Sequence, residues 1–451
     1  MSSVVDLQAL VSWLEPYLSS YGRTWGESHA LHGYVLVASH GAPIFERAYG
    51  FADRAARIPP TADTRFRIAS VTKQMTAVAV LQLFERGLLD LDDPFRRFVP
   101  EYPAATGDGV TVRHLLAHRS GLPDYAALPY PGSGWGAVPR TNDEVLALVR
   151  DRAVHFAPGT ANRYSNTNYY LLAMIVERLS GLSFDAYLRA HAFGPAGMSR
   201  SSASEGDFDD EATGYTPGAD DALVPAEPYD LGIPFGAGGV RSTARDLLRW
   251  QRALHDETTL LSRESHAAML ASGFGIGRAT FGGLTFNCHH GGMPGFTSTM
   301  WRAEDLAVDI IALLNTQAIM AGNVGSDIVE MICRRTPVAP RVERPCLPLD
   351  RATIEAVAGD YVATAKGRAT LDKAFTAEMA EATSKLELRV EGGALLFDVH
   401  MGPPLPLFLG EDGALFTKTN GIVLTLERDD AGRARGVTVT QHGKFVVEYE
   451  R

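Results

Sequence analysis

The chain is 451 residues long, 45% hydrophobic and 21% charged, with a formal net charge of −11. That length suits two or three domains of about 150 residues each, and the composition is that of a soluble globular protein. The acidic balance argues against nucleic acid or an anionic membrane as the main partner, because both need a basic footprint. The opening stretch, MSSVVDLQALVSWLEPYL, places Asp6 and Glu15 among its apolar residues. It reads as an amphipathic helix and not as a secretion leader. No apolar run reaches the roughly 18 residues that a membrane span needs. Three cysteines, Cys288, Cys333 and Cys346, are too few for a disulfide framework. They fit a reducing compartment, and a cytoplasmic location is expected.

Residues 33–53 give two strand-like runs around His40-Gly41-Ala42-Pro43, a hairpin pattern. A helix from about 70 to 86 follows, stopped by Gly87. Residues 88–235 are mostly helical and loop-rich, with helical apolar spacing in TVRHLLAHRSGL and NTNYYLLAMIVERLSG. STARDLLRWQRAL (242–254) is a helix with Ser242 or Thr243 as its cap. Residues 281–316 then hold three strand-like runs. AVDIIALL (307–314) is nearly all apolar, as a strand covered on both faces would be. GNVGSDIVEMICRR closes this part as a helix.

A proline-rich break at 334–350 marks a linker, and beyond it short strands alternate with Gly-Gly, Asp-Gly, Asn-Gly and His-Gly turns. The expected organisation is therefore a domain over 1–335, a linker over 336–344 and a domain over 345–451. The fold class is α+β. Strands from both ends of the large domain build one antiparallel sheet, flanked by helices and a mainly helical subdomain. A small all-β barrel or sandwich follows.

The chemistry gathers around Ser70 and Lys73. Residues three apart on a helix share a face, so Lys73 stands beside Ser70 at the helix start. A serine hydroxyl needs a base to become a nucleophile. A lysine can be that base when burial destabilises its ammonium, and Ala69, Val71, Met75 and Val78 offer apolar surroundings. The helix N-terminus also favours negative charge developing near Ser70. Alone, Ser-x-x-Lys fits a helix cap with an exposed lysine equally well.

Two further motifs decide between these readings. Tyr164-Ser165-Asn166 precedes a helix, and His289-His290-Gly291 lies inside a strand pattern. Ser70-Val-Thr-Lys73, Tyr164-Ser-Asn166 and His289-x-Gly291 together resemble the three-motif signature of the serine β-lactamase and penicillin-binding-protein superfamily. The likeness is to its class C β-lactamase-like branch, peptidase family S12. TVRHLLAHRSGLPDY, GAGGVRSTARDL and Pro294-Gly295-Phe296 match as well, and the resemblance covers about residues 15–335.

The resemblance implies a serine hydrolase that forms a Ser70 acyl-enzyme without metal or cofactor. Lys73 and Tyr164 would share the proton work, with either as the acylation base. A cationic Lys73 would draw the Tyr164 phenol down toward the working range. Asn166 would bond Lys73 and a substrate amide. His289 stands where true class C β-lactamases carry lysine, as in the peptidase and esterase members. The oxyanion hole would be the Ser70 and Gly292 amides, with Gly291 and Gly292 letting the backbone approach the substrate. The C-terminal domain resembles the lipocalin-like barrels of D-aminopeptidase relatives. Expected substrates are small peptides or D-amino-acid amides, with a carboxylesterase or a non-catalytic penicillin-binding-like protein as alternatives. No nucleic-acid or membrane partner is expected, and the oligomeric state stays open.

Other signals are weaker. Cys288, His289 and His290 are adjacent on a strand and so point to alternate faces, which disfavours a metal site. Cys288 has no base and is not expected as a nucleophile. GFGIG (273–277) opens no helix and is no dinucleotide site, and a Gly-x-Ser-x-Gly elbow is missing. Tyr169, Tyr170 and Phe296 read as core aromatics, and EGDFDDEA (205–212) as a solvated loop.

Overall fold

The computed structural model describes residues 6–25, 30–128, 130–131, 134–204, 206, 208–218, 222–255, 259–339, 344–374, 380–381, 383–391, 393–399, 405–418, 421–441 and 445–451. Linker positions 340–343, acidic-run positions 205 and 207, and the turn positions 392, 420, 442 and 443 lie outside the described residues. The chain divides into two compact units. One comprises 1–17, 31–216 and 225–339; the other comprises 18–30, 217–224 and 340–451.

The first unit is built on a six-stranded antiparallel sheet. Helix α1 (Leu7–Trp25) precedes the hairpin β1 (Gly33–Ser39) and β2 (Ala42–Tyr49). The remaining strands come from much later in the chain: β3 (Gly277–Phe281), β4 (Leu284–Met293), β5 (Phe296–Ala303) and β6 (Val308–Leu314). Their order is β2-β1-β6-β5-β4-β3, with Leu36 opposite Ile311 where the two ends of the unit meet. Every residue of β1 and β6 is buried, as helices on both faces require. Asp309 is the charged exception. It accepts two bonds from Arg302 at 2.9 Å, and burial still pushes its carboxyl up to about 6.

Between β2 and β3 lie the helices that carry the site. These are α2 (Thr72–Glu85), α3 (Asn166–Ser180), the short α4 (Phe235–Gly238) and α5 (Ala244–His255). Of the two cap candidates for α5, Thr243 is the one whose hydroxyl accepts, from the Asp246 amide at 3.1 Å. α6 (Ala321–Arg334) ends the unit. Nearly all of α2 is buried, so it is a central core helix and not an amphipathic surface one. The end of the acidic run departs from the expected solvated loop, while Asp209 is exposed. Glu211 is only 11% exposed and bridges Arg67 and Arg241, and Asp210 pairs with Arg65 and Arg200. Four arginines, Arg65, Arg67, Arg200 and Arg241, thus face these two carboxylates.

The second unit holds a ten-stranded antiparallel sheet curled into a half-barrel. Ile422–Arg428, Ala434–Gln441 and Phe445–Glu450 form its meander, and the last of these also pairs with Gly359–Ala363. Its core is Val357, Tyr361, Leu386, Leu388, Leu424, Val437 and Tyr449, among others. Two helices, Arg351–Val357 and Ala365–Ala374, join the strands in this unit. No helix among the described residues is long and apolar enough to cross a membrane.

Candidate active site

Ser70 sits in a single 3-10 turn, Ala69–Val71, that leads directly into α2. The residue before it, Ala69, adopts φ +46°, the left-handed region that a Cβ disfavours. The surroundings hold that conformation. Ser298 on β5 donates to the Ile68 carbonyl at 2.7 Å, and the Ile68 amide donates to the Val240 carbonyl at 3.0 Å. Gly291 on β4 lies so close that a Cβ there would stand 2.3 Å from the Ile68 oxygen and 2.4 Å from Ser298 Oγ. The glycine is therefore required by contact with the nucleophile turn. Gly291→Ala is expected to cost about 1–3 kcal/mol of stability through overpacking and to lower kcat by at least tenfold. Thermal unfolding and steady-state kinetics on the same preparation check both.

Lys73 is fully buried. Its Nζ lies 3.0 Å from Ser70 Oγ, 2.8 Å from Asn166 Oδ1 and 2.6 Å from the Ala237 carbonyl. The rings of Tyr164 and Tyr169 stand 4.9 and 5.7 Å from the nitrogen. Burial pulls the ammonium down from 10.5 to about 7, while the charge of Asp124 opposes the fall. Near neutrality the amine is thus free to take a proton. A neutral amine can donate to Asn166 and Ala237 and still accept from the Ser70 hydroxyl.

The Ala237 carbonyl reaches Lys73 because α4 packs without side chains in its way. A Cβ at Gly236 would meet Ala173 Cβ at 2.3 Å and the Tyr169 carbonyl at 2.7 Å. Asn166, at the start of α3, is held by Asp124. The Asn166 amide and Nδ2 donate to the two Asp124 oxygens, each at 3.0 Å. With Nδ2 fixed on a carboxylate, Oδ1 must face Lys73. Burial raises the Asp124 carboxyl, against two backbone amides that favour its charged form.

Tyr164 donates from its hydroxyl to Ser70 Oγ at 2.8 Å. Its ring stacks on His118 at 4.5 Å, and the residue remains 41% exposed. Burial pushes the phenol upward, which corrects the expectation that Lys73 would draw it down. The same burial that neutralises the lysine removes the positive charge that would have done so. His118 is fixed in one tautomer, since its Nδ1 accepts from the Ser165 amide at 3.1 Å. Burial keeps its ring well below the usual histidine range.

On β4, strand alternation separates the two histidines. His289 turns to the Lys73 side, whose charge bears on it, and burial brings it down to about 3. His290 turns away, 2.7 Å from Thr299 Oγ1 and 5.2 Å from the Trp301 ring. β3 ends its pairing at Gly277 opposite Cys288, so residues 289–293 of β4 keep a partner strand on the β5 edge only. A Cβ at Gly292 would meet nothing within 4 Å, so the backbone there is open to a ligand.

A cleft of about 790 Å³ opens beside Tyr164 and His289, lined also by His118, Leu270, Ile276 and Cys288. The Cys288 thiol is pushed up to about 11 by burial, far from a reactive thiolate. No group of three or more His, Cys, Asp or Glu among the described residues could hold a metal ion.

The structure thus brings Ser70, Lys73, Tyr164, Asn166, His289 and Gly291 to one place, with Gly292 beside them on β4. Tyr169, Tyr170 and Phe296 are buried core residues. Sequence reasoning assigned no role to Asp124, His118, Ser298 or the Ala237 carbonyl. Asp124 and His118 lie in TVRHLLAHRSGLPDY and Ala237 in GAGGVRSTARDL, stretches that were legible as words but not as contacts.

A serine at a helix mouth, with a neutralised lysine and a phenol on its oxygen, makes this enzyme a serine hydrolase. The β-lactamase family model matches residues 21–324, and the chain belongs to that family. Penicillin-binding protein 4* of Bacillus subtilis is 30% identical over 329 residues, covering 67% of this chain and 72% of its own. A D-aminopeptidase of Brucella ovis is 30% identical over 324 residues, and the match spans 60% of that relative's length. The structure of D-amino acid amidase from Ochrobactrum anthropi SV3 complexed with L-phenylalanine amide aligns at TM-score 0.62 and 26% identity. That alignment covers 73% of this chain and 98% of the amidase.

Proposed function

We propose that the enzyme cleaves small D-amino-acid amides or short D-amino-acid-containing peptides through an acyl-enzyme on Ser70. The observation that carries the catalytic half of this reading is Lys73 Nζ, 3.0 Å from Ser70 Oγ with its pKa brought to about 7. The relatives named D-aminopeptidase and D-amino acid amidase support the substrate half.

In this mechanism Lys73 takes the Ser70 proton as Oγ attacks the carbonyl carbon. The oxyanion faces the Ser70 and Gly292 amides. As the scissile bond breaks, the leaving nitrogen needs a proton. Tyr164 gives its own and recovers the one held by Lys73, so the phenol ends as it began. Water then enters, gives a proton to the same pair and attacks the acyl carbon, and Ser70 Oγ leaves with a proton. An ester substrate would follow the same path, so ester turnover alone does not separate an amidase from a carboxylesterase. A panel of D- and L-aminoacyl amides does.

Three cysteines outside any disulfide support a reducing, cytoplasmic setting for this activity. Intact-mass spectrometry with a fluorophosphonate should add one adduct to the wild type and none to Ser70→Ala. An unlabelled wild type, or a labelled Ser70→Ala, would contradict the reading.

A further inference from the structure

A second cleft, of about 640 Å³, opens where the sheet meets the end of α5. Its lining includes Arg249, Arg252 and His255 of α5, Arg302 of β5, and His40 and Gly41 from the turn between β1 and β2. It shares no residue with the cleft beside Tyr164. Ser298 holds the nucleophile turn from β5, and Arg302 follows it by four residues, about 13 Å along an extended strand. The two clefts therefore belong to different ends of the sheet.

The chain has a net charge of −11, yet the described lining of this cleft holds three arginines and no carboxylate. Two of the arginines are anchored from behind. Arg249 gives Nη1 to Asp246 at 2.6 Å, and its side chain is 44% exposed while that of Asp246 is wholly enclosed. Arg302 gives Nη1 to both oxygens of Asp309, which is enclosed in the same way. Each pair thus turns its cationic side outward. Arg252 has no carboxylate partner among the described residues. Its stem lies over Gly41, where a Cβ would stand 2.8 Å from Arg252 Cδ.

The field in the cleft is positive. Burial holds the His255 ring down to about 3, the charges of Arg302 and His266 push the same way, and no carboxylate acts against them. Arg249 and Arg252 stand three apart on α5 and share a face. Like charges gathered there repel unless an anion lies among them. Guanidinium forks match phosphate oxygens two at a time. The only rings in the lining are the imidazoles of His40 and His255, so no aromatic platform for a nucleobase is present among the described residues.

We propose that this cleft binds a compact ligand bearing two or more phosphate groups, bridged by Arg249, Arg252 and Arg302. The proposal is independent of the Ser70 acyl-enzyme reading. Asp256 and Glu257, which follow His255 in the sequence, lie outside the described residues, and the test neutralises them as well.

Isothermal titration of the full chain uses pyrophosphate and inorganic phosphate as probes. Pyrophosphate should bind saturably and at least about tenfold more tightly than phosphate, because the second group adds charge-assisted bonds. Arg252→Gln should weaken pyrophosphate about tenfold or more, with the melting temperature of the unliganded protein unchanged, since no ion pair is broken. His40→Asp should weaken it as well. That turn position has φ +50°, which aspartate tolerates, and the change sets a carboxylate at the rim. Asp256→Asn combined with Glu257→Gln should bind as tightly or more tightly. Fluorophosphonate labelling of Ser70 should proceed at the same rate with and without pyrophosphate. Absent or unsaturable binding would overturn the proposal, as would affinity unchanged in Arg252→Gln and His40→Asp, affinity lowered by neutralising the two acids, or pyrophosphate that blocks the labelling. Failure of Ser70 to label at all would sink the hydrolase reading and leave this one standing.

Discussion

Lys73→Met is expected to lower the rate of Ser70 acylation by about 10²–10⁴-fold, the range of a positioned general base. Methionine keeps the unbranched side chain as far as the ε position and removes the nitrogen that takes the hydroxyl proton. The wild-type rate should itself depend on pH in one direction. Lys73 acts as base only when neutral, and its pKa is about 7. The acylation rate should therefore fall as pH drops through 7 and reach a plateau above about 8. Stability carries the same signature. In the unfolded chain this lysine holds its proton up to its ordinary 10.5, whereas in the folded enzyme it loses it near 7. Between those values the unfolded state binds the extra proton, so rising pH favours the folded state. The wild type should gain on Lys73→Met by about 1.4 kcal/mol per pH unit across that window. Urea unfolding of both proteins at pH 7.5 and 9.5 measures the difference. Parallel curves would mean that Lys73 is charged in the folded enzyme.

Tyr164→Phe is the second large effect. The ring keeps its stack on His118 and loses only the hydroxyl 2.8 Å from Ser70 Oγ. Because burial holds that phenol protonated, its role is to deliver a proton and not to take the first one. Amide substrates, whose nitrogen cannot leave unprotonated, should lose about 10²–10³-fold in kcat. Activated aryl esters, whose oxide leaves without help, should lose less than tenfold. Equal losses for both substrate types would assign the phenol to nucleophile activation instead. The melting temperature should stay within the few degrees that a surface-like change produces.

The heart of this site was legible in the sequence because its parts are local. Ser70 and Lys73 meet through helical spacing alone, and strand alternation separates His289 from His290. A further signal lay in plain view. Lys73 is the only lysine before Lys366, so this unit otherwise uses arginine for its positive charge. The hairpin at 33–49 and the all-apolar run at 307–314 were equally readable, since hydrophobic patterning reports burial directly.

What stayed hidden depends on distant contacts. Asp124 acts through Asn166, 42 residues away, and the Ala237 carbonyl is visible only once α4 packs on α2. The left-handed Ala69 carries no sequence mark, because alanine is not a residue that announces positive φ. The direction of the Tyr164 shift was missed for a physical reason. In the sequence a lysine beside a phenol reads as a cation, and the fold makes that neighbour neutral. In the second unit, strong turn punctuation obscured the helices Arg351–Val357 and Ala365–Ala374.

The most direct test is to titrate Lys73 itself. The chain has six lysines, Lys73, Lys366, Lys373, Lys385, Lys418 and Lys444, so ε-carbon NMR on lysine-labelled protein should resolve them, with Lys73→Met assigning the signal of interest. One resonance should titrate near pH 7 and be missing from the variant. Six resonances that all titrate near 10 would leave Ser70 without a base and contradict the account.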